Sequence, residues 1–148
     1  MMRIVLDTNV LVSAILSPRS APAHIIRLVL DDSVNLAVSS GILDEAYRVF
    51  HYPKIVRLLE KHGVTPEQAE SFIERLNAIA VVTPGELIPD VIRDDPSDNM
   101  FLACAVESES DYIISGDHHL TDLKIYRGIT IVNPATFLAI VRLDERLE

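Results

Sequence analysis

The sequence predicts an α/β protein, a three-layer α/β/α sandwich with a mostly parallel central sheet. Two observations predict it. Short β-branched and aliphatic runs recur five times along the 148 residues, with amphipathic segments between them. The runs are also nearly continuous in their apolar character, which is the pattern of strands covered on both faces by helices.

The first run is RIVLD, residues 3 to 7, and the apolar segment VLVSAIL after it reads as a helix begun by Thr8-Asn9. VNLAV (34 to 38) is the second strand, followed by SSGILDEAYRVF, whose Ile42, Leu43, Ala46, Val49 and Phe50 form an apolar stripe at helical spacing. Thr65-Pro66-Glu67-Gln68 offers an N-cap, a proline at the first helical position and a capping-box partner, so a helix begins there. AVVT (80 to 83) is the third strand. Asp95-Pro96-Ser97-Asp98 repeats the same start signal before an apolar helix, YIIS (112 to 115) and ITIV (129 to 132) are the last strands, and Asn133-Pro134 starts the final helix. No repeat, low-complexity tract or linker interrupts the chain, so residues 1 to 148 read as one domain.

Composition excludes several classes. With 49% of its residues hydrophobic, the chain can bury a core, and general disorder is a poor explanation. Neither a secretory signal nor an apolar run of bilayer length is legible, so no membrane association is expected. Cys104, the single cysteine, lies in the apolar stretch MFLACAV and has no partner for a disulfide, which fits a reducing, cytoplasmic setting. The net charge of −9 opposes broad attraction to nucleic acid. That objection weakens where acids gather around divalent ions, which invert the local field. Arg48, Lys54, Arg57 and Lys61 also supply local positive charge.

In open sheets of this class, ligands bind beyond the carboxyl ends of the strands. Two strands here end in aspartate: Asp7 closes RIVLD, and Asp117 follows YIIS by one glycine. Each has an ordinary structural role available, Asp7 in a helix cap and Asp117 in a Gly-Asp turn. Projected at about 100° per residue, Glu45 sits at the edge of its helix's apolar stripe, while Asp44 and Arg48 lie on the solvent side. Asp98 falls within about 60° of Phe101, Leu102 and Ala105, and so points along a buried face. As the third residue of a capping box begun by Asp95 it would contribute on the order of 1 kcal/mol. A carboxylate on an apolar face also needs a strong partner, and a metal ion meets that need.

Two like charges about 4 Å apart repel by about 4 kcal/mol at an effective dielectric of about 20, so converging carboxylates call for cations. Oxygen ligands favour Mg²⁺ or Mn²⁺, which activate water and stabilise charge developing on a phosphodiester. The neighbouring His118 and His119 suggest zinc, but adjacent histidines lack the spacing for two ligands on one face. They read as loop or substrate-contact residues.

VLDTNVLVSA at the start, a helical glutamate in the first half, DDPSDNMFLACA in the second and YIISGDHHL near the end together resemble the PIN domain in order, spacing and context. NPATFLAI resembles that family's closing helix, and the likeness runs from Arg3 to about Val141. The resemblance implies that Asp7, Glu45, Asp98 and Asp117 are the metal-binding and catalytic acids. It makes Asn9 and Ser115 supporting polar residues, with Asp95 an alternative to Asp98. It further implies metal-dependent RNA cleavage. Small stand-alone members, the VapC-like toxin ribonucleases, are often toxins of toxin–antitoxin pairs, which commonly form homodimers and are silenced by a small antitoxin protein. Apolar helix surface around Ile25 to Leu30 or Val56 to Leu59 is where such a homodimer is expected to form.

Three other functions compete. Phosphotransfer through an aspartyl phosphate also suits an aspartate at the end of the first strand, but Asn9 breaks the D-x-D pattern. A receiver-type signalling domain would want a lysine just after a late strand, where this chain has Gly116-Asp117. A non-catalytic RNA- or partner-binding module would have no need of all four acids.

Overall fold

In the computed structural model, which describes residues 1–86 and 98–147, the five β-branched runs form the parallel part of one six-stranded sheet. The strands are β1 (Arg3–Leu6), β2 (Asn35–Ser39), β3 (Val81–Thr83), β4 (Tyr112–Ile114), β5 (Ile125–Tyr126) and β6 (Ile129–Val132), in the order β3-β2-β1-β4-β6-β5. Only β5 is antiparallel. It pairs with β6 across Arg127 and Gly128, both at positive φ as a two-residue hairpin turn requires. The sequence reading has no strand there, because two residues carry no periodicity.

The helices are α1 (Thr8–Leu16), α2 (Ala21–Leu30), α3 (Ser40–Phe50), α4 (Pro53–Lys61), α5 (Pro66–Ile79), α6 (Asn99–Glu107), α7 (His118–Thr121) and α8 (Pro134–Leu147). Their starts follow the local chemistry. Thr65 Oγ1 accepts from the Gln68 backbone N–H at 3.1 Å while Gln68 Oε1 accepts from the Thr65 N–H at 2.9 Å, a complete capping box. Asn133 Oδ1 accepts from the Thr136 N–H at 2.8 Å at the start of α8. The start signal at Asp95 lies outside the described residues. Asp98 stands just ahead of α6 in helical conformation and makes no capping bond with its side chain.

Alternate strand residues face opposite layers. Ile4, Leu6, Leu36, Val38 and Ile114 pack with α1, α2, α3, α5 and α8, while Val5, Ala37, Ile113 and Ile131 pack with Phe101, Leu102 and Ala105 of α6 and Leu120 of α7. These two apolar layers are the cores of the predicted α/β/α sandwich. Ile25, Ile26, Val29 and Leu59 are buried in the first core, so half of the apolar residues expected to mediate dimerisation are not available, while Leu30 stays exposed. The helices holding these residues spend their apolar faces on the core instead. Among the described residues no helix is long and apolar enough to cross a membrane.

Glu107, at the end of α6, accepts from the backbone N–H groups of Gly85 (3.0 Å) and Glu86 (2.9 Å), tying the exit of β3 to the helix that Asp98 precedes. From β1 the chain runs outward through β2 to β3, then crosses back to lay β4 on the other side of β1. The sheet therefore changes direction between β1 and β4, and the crevice at their carboxyl ends is where such folds bind ligands.

Phe101 is completely buried between sheet and α6. Phe101→Ala is expected to lower the urea-unfolding free energy by about 3–5 kcal/mol, whereas Thr65→Ala, which breaks only an exposed cap, costs about 1 kcal/mol.

Candidate metal centre

The register of β1 against β4 builds the centre. Leu6 lies opposite Ile114, so Asp7 and Ser115 leave the sheet side by side, and the Asp7 N–H donates to Ile114 O at 3.0 Å. The buried Ser115 hydroxyl donates to Asp7 Oδ2 at 2.7 Å and its oxygen accepts the Asp117 N–H at 2.9 Å. One serine thus fixes both strand-end aspartates. Asp7 is also the N-cap of α1, accepting from the Asn9 N–H at 3.4 Å, so its structural and candidate functional roles coexist.

Burial pushes the Asp7 carboxyl above its ordinary range. The Ser115 hydroxyl and the Asn9 and Thr8 backbone pull it back down, while the nearby Asp117 adds to the rise. Glu45, half-buried on α3, joins through Thr8: the buried Thr8 hydroxyl donates to Glu45 Oε2 at 2.5 Å. Asp98 is buried, as its helical projection requires. One ligand atom each from Asp98, Asp117 and His119 all lie within 4.8 Å of one another. Metal–oxygen distances of about 2.0–2.6 Å let ligands on opposite sides of one ion stand about 4–5 Å apart, so this donor set fits a divalent cation.

The supporting residues divide. Ser115 bridges the two strand-end acids, whereas the Asn9 side chain is exposed and its backbone N–H makes the contact with Asp7. Asp95 lies outside the described residues. Sequence reasoning missed Thr8, taken there for a helix start alone, and discounted His119. The latter could have been found by testing each histidine against the carboxylates rather than against its neighbour.

The family model of the PIN domain matches residues 3–119. The chain belongs to the PIN domain family. PIN domains are generally nucleases, and the four acids named from the sequence all fall within the matched span. An uncharacterized protein of Methanocaldococcus jannaschii is 29% identical over 122 residues, which span 82% of this chain and 75% of that protein. Among solved structures, VapBC2 from Rickettsia felis, determined bound to a DNA fragment from its promoter, has a chain similar in fold. The TM-score is 0.55 at 15% identity, over 89% of this chain and 98% of that one.

The raised carboxyl of Asp7 has a measurable effect on the metal-free PIN domain. As pH rises past the ordinary carboxylate range, the unfolded chain releases this proton before the folded one does. Stability is therefore full below the unfolded-state pKa and falls as pH climbs through the folded-state value. Asp7→Asn removes that loss, and in EDTA at neutral pH its melting temperature is expected to exceed that of the wild type. A lower melting temperature would show that the Asp7 charge is stabilised in the folded protein.

Proposed function

We propose that this PIN domain is a metal-dependent endoribonuclease, a hydrolase of RNA phosphodiester bonds. The convergence of Asp98 and Asp117 beside the Asp7–Ser115 pair, at the crevice where the sheet changes direction, carries that reading. Asp7, Glu45, Asp98 and Asp117 would hold Mg²⁺ or Mn²⁺, with Ser115 and Thr8 setting the orientation of three of them. The ion supplies Lewis-acid neutralisation of phosphodiester charge and a lowered pKa for water.

The chain's own residues prepare the rest. Thr8 holds Glu45 by its hydroxyl, keeping that carboxylate turned toward the β1 exit rather than to solvent. The buried Asp7 and Asp98 have little water to compensate their charge, so a cation gains more there than on an open acidic surface. Lys54, Arg57 and Lys61 are exposed at i, i+3 and i+7 on one side of α4, and exposed Arg48 precedes them on α3. They offer phosphate contacts that offset the chain's net charge of −9.

The biological setting in this proposal is a toxin–antitoxin pair in the cytoplasm, with the chain as a homodimeric toxin and a cognate antitoxin as its partner. Its support is the shared fold with a chain of VapBC2 and the resemblance, from Arg3 to about Val141, to the family's small toxins.

Incubating wild type and Asp98→Asn with a mixed set of fluorescent RNAs, each with Mn²⁺ and with EDTA, tests the catalytic claim. Wild type with Mn²⁺ is expected to cut. EDTA or Asp98→Asn should reduce cleavage at least about 100-fold, since even the partners that orient metal ligands contribute about 10–100-fold. Equal cleavage by the variant would remove Asp98 from the centre. RNA binding without cleavage by the Mn²⁺-loaded wild type would favour a binding module.

A further inference from the structure

We propose that His119 supplies an imidazole nitrogen to the divalent ion held by Asp98 and Asp117, making the centre a mixed nitrogen–oxygen site. The inference rests on the metal-dependent reading above and specifies the donor set of that site. Three observations carry it: the three-way proximity, the way the backbone holds His119, and the contrast with His118.

Asp98, Asp117 and His119 bring one ligand atom each within 4.8 Å of one another, although Asp98 comes from the start of a different helix. His119 Nδ1 stands 3.6 Å from Asp117 Oδ1. The placement is built into the corner between β4 and α7. Ser115 Oγ accepts the Asp117 N–H, Asp117 Oδ1 accepts the His119 N–H at 2.9 Å, and the next residue, Leu120, is completely buried in the second core. Ring and carboxylate are thus held on one frame, anchored from below by an apolar side chain.

His118 also approaches the same oxygen, at 3.9 Å, yet it is outside the three-way group and its side chain is 74% exposed against 30% for His119. The two rings stand 4.1 Å apart at 53°, so the more exposed His118 lies against its neighbour. This resolves the objection to adjacent histidines. They need not both bind, because the partners of His119 are carboxylates from elsewhere in the chain.

A nitrogen donor changes which metals the centre prefers. Imidazole binds Co²⁺, Ni²⁺ and Zn²⁺ well and adds little for Mg²⁺, which keeps to oxygen ligands. His119→Ala is therefore expected to weaken Co²⁺ binding by about tenfold or more while Mg²⁺ affinity changes by less than about threefold.

The deciding experiment is pulsed electron paramagnetic resonance of the Mn²⁺-loaded protein, with calorimetric titration of Mn²⁺, Co²⁺ and Mg²⁺ alongside. Wild type should show modulation from a coordinated nitrogen that changes on ¹⁵N-histidine labelling. His118→Ala should keep it, and His119→Ala and His119→Gln should lose it while still binding Mn²⁺ through the acids. Nitrogen coupling that survives in both His119 variants overturns the assignment. Wild type that binds Mn²⁺ in an Asp98-dependent manner without nitrogen coupling overturns it too, and leaves the proposed nuclease centre standing. Wild type that binds no Mn²⁺ overturns both.

Discussion

The parallel pairing of β1 with β4, with Leu6 opposite Ile114, is the constraint on which the rest of the molecule depends. It brings together two segments more than a hundred residues apart, and it does so at the point where strand order reverses. Strand side chains alternate between faces, so a shift of one residue would turn Ile4 and Leu6 out of one core and Val5 into it. That shift would also separate Asp7 from Ser115. Core packing and the candidate centre are therefore specified by the same register, and the buried serine hydroxyl records it as a side-chain hydrogen bond.

Gathering acids at that edge has an energetic consequence. Asp7 is buried and its carboxyl is already pushed toward the neutral form, with Asp117 nearby; Asp98, also buried, is grouped with Asp117 and His119. Without a cation the folded chain carries this as a local instability, offset by its two apolar cores. In the proposed metal-bound state, the same repulsion would become affinity. In the proposed centre, stability and function are set against each other in the few residues that leave β1 and β4, a trade common at functional sites.

Much of this was legible in the residues. Five strands stood out because each is a continuous β-branched run, and the helix starts at Thr65 and Asn133 because their caps are local chemistry. Asp98 was legible as buried from the neighbours it shares on its helix. What escaped depends on contacts between distant segments. β5 is two residues held in place by β6. Thr8 has a local reading as a helix start, while its hydroxyl reaches Glu45, thirty-seven residues on. His119 was judged against His118, its neighbour in sequence, instead of against Asp98, its neighbour in space. The apolar residues from Ile25 to Leu30 suggested a free surface, but α2 lies against α1 and α8 and spends Ile25, Ile26 and Val29 on the core, leaving Leu30 exposed.

The central claim is that these acids form one divalent-cation site coupled to folding. Thermal unfolding of wild type and Asp98→Asn across a Mn²⁺ titration tests it most directly. An ion that binds only the folded protein stabilises by about 2.7 kcal/mol at a hundredfold excess over Kd, roughly 5 to 10 °C for a chain of this size. The account predicts that rise for wild type and its near-disappearance in Asp98→Asn, which should fold normally in EDTA. An equal rise in both proteins, or none in either, would contradict it.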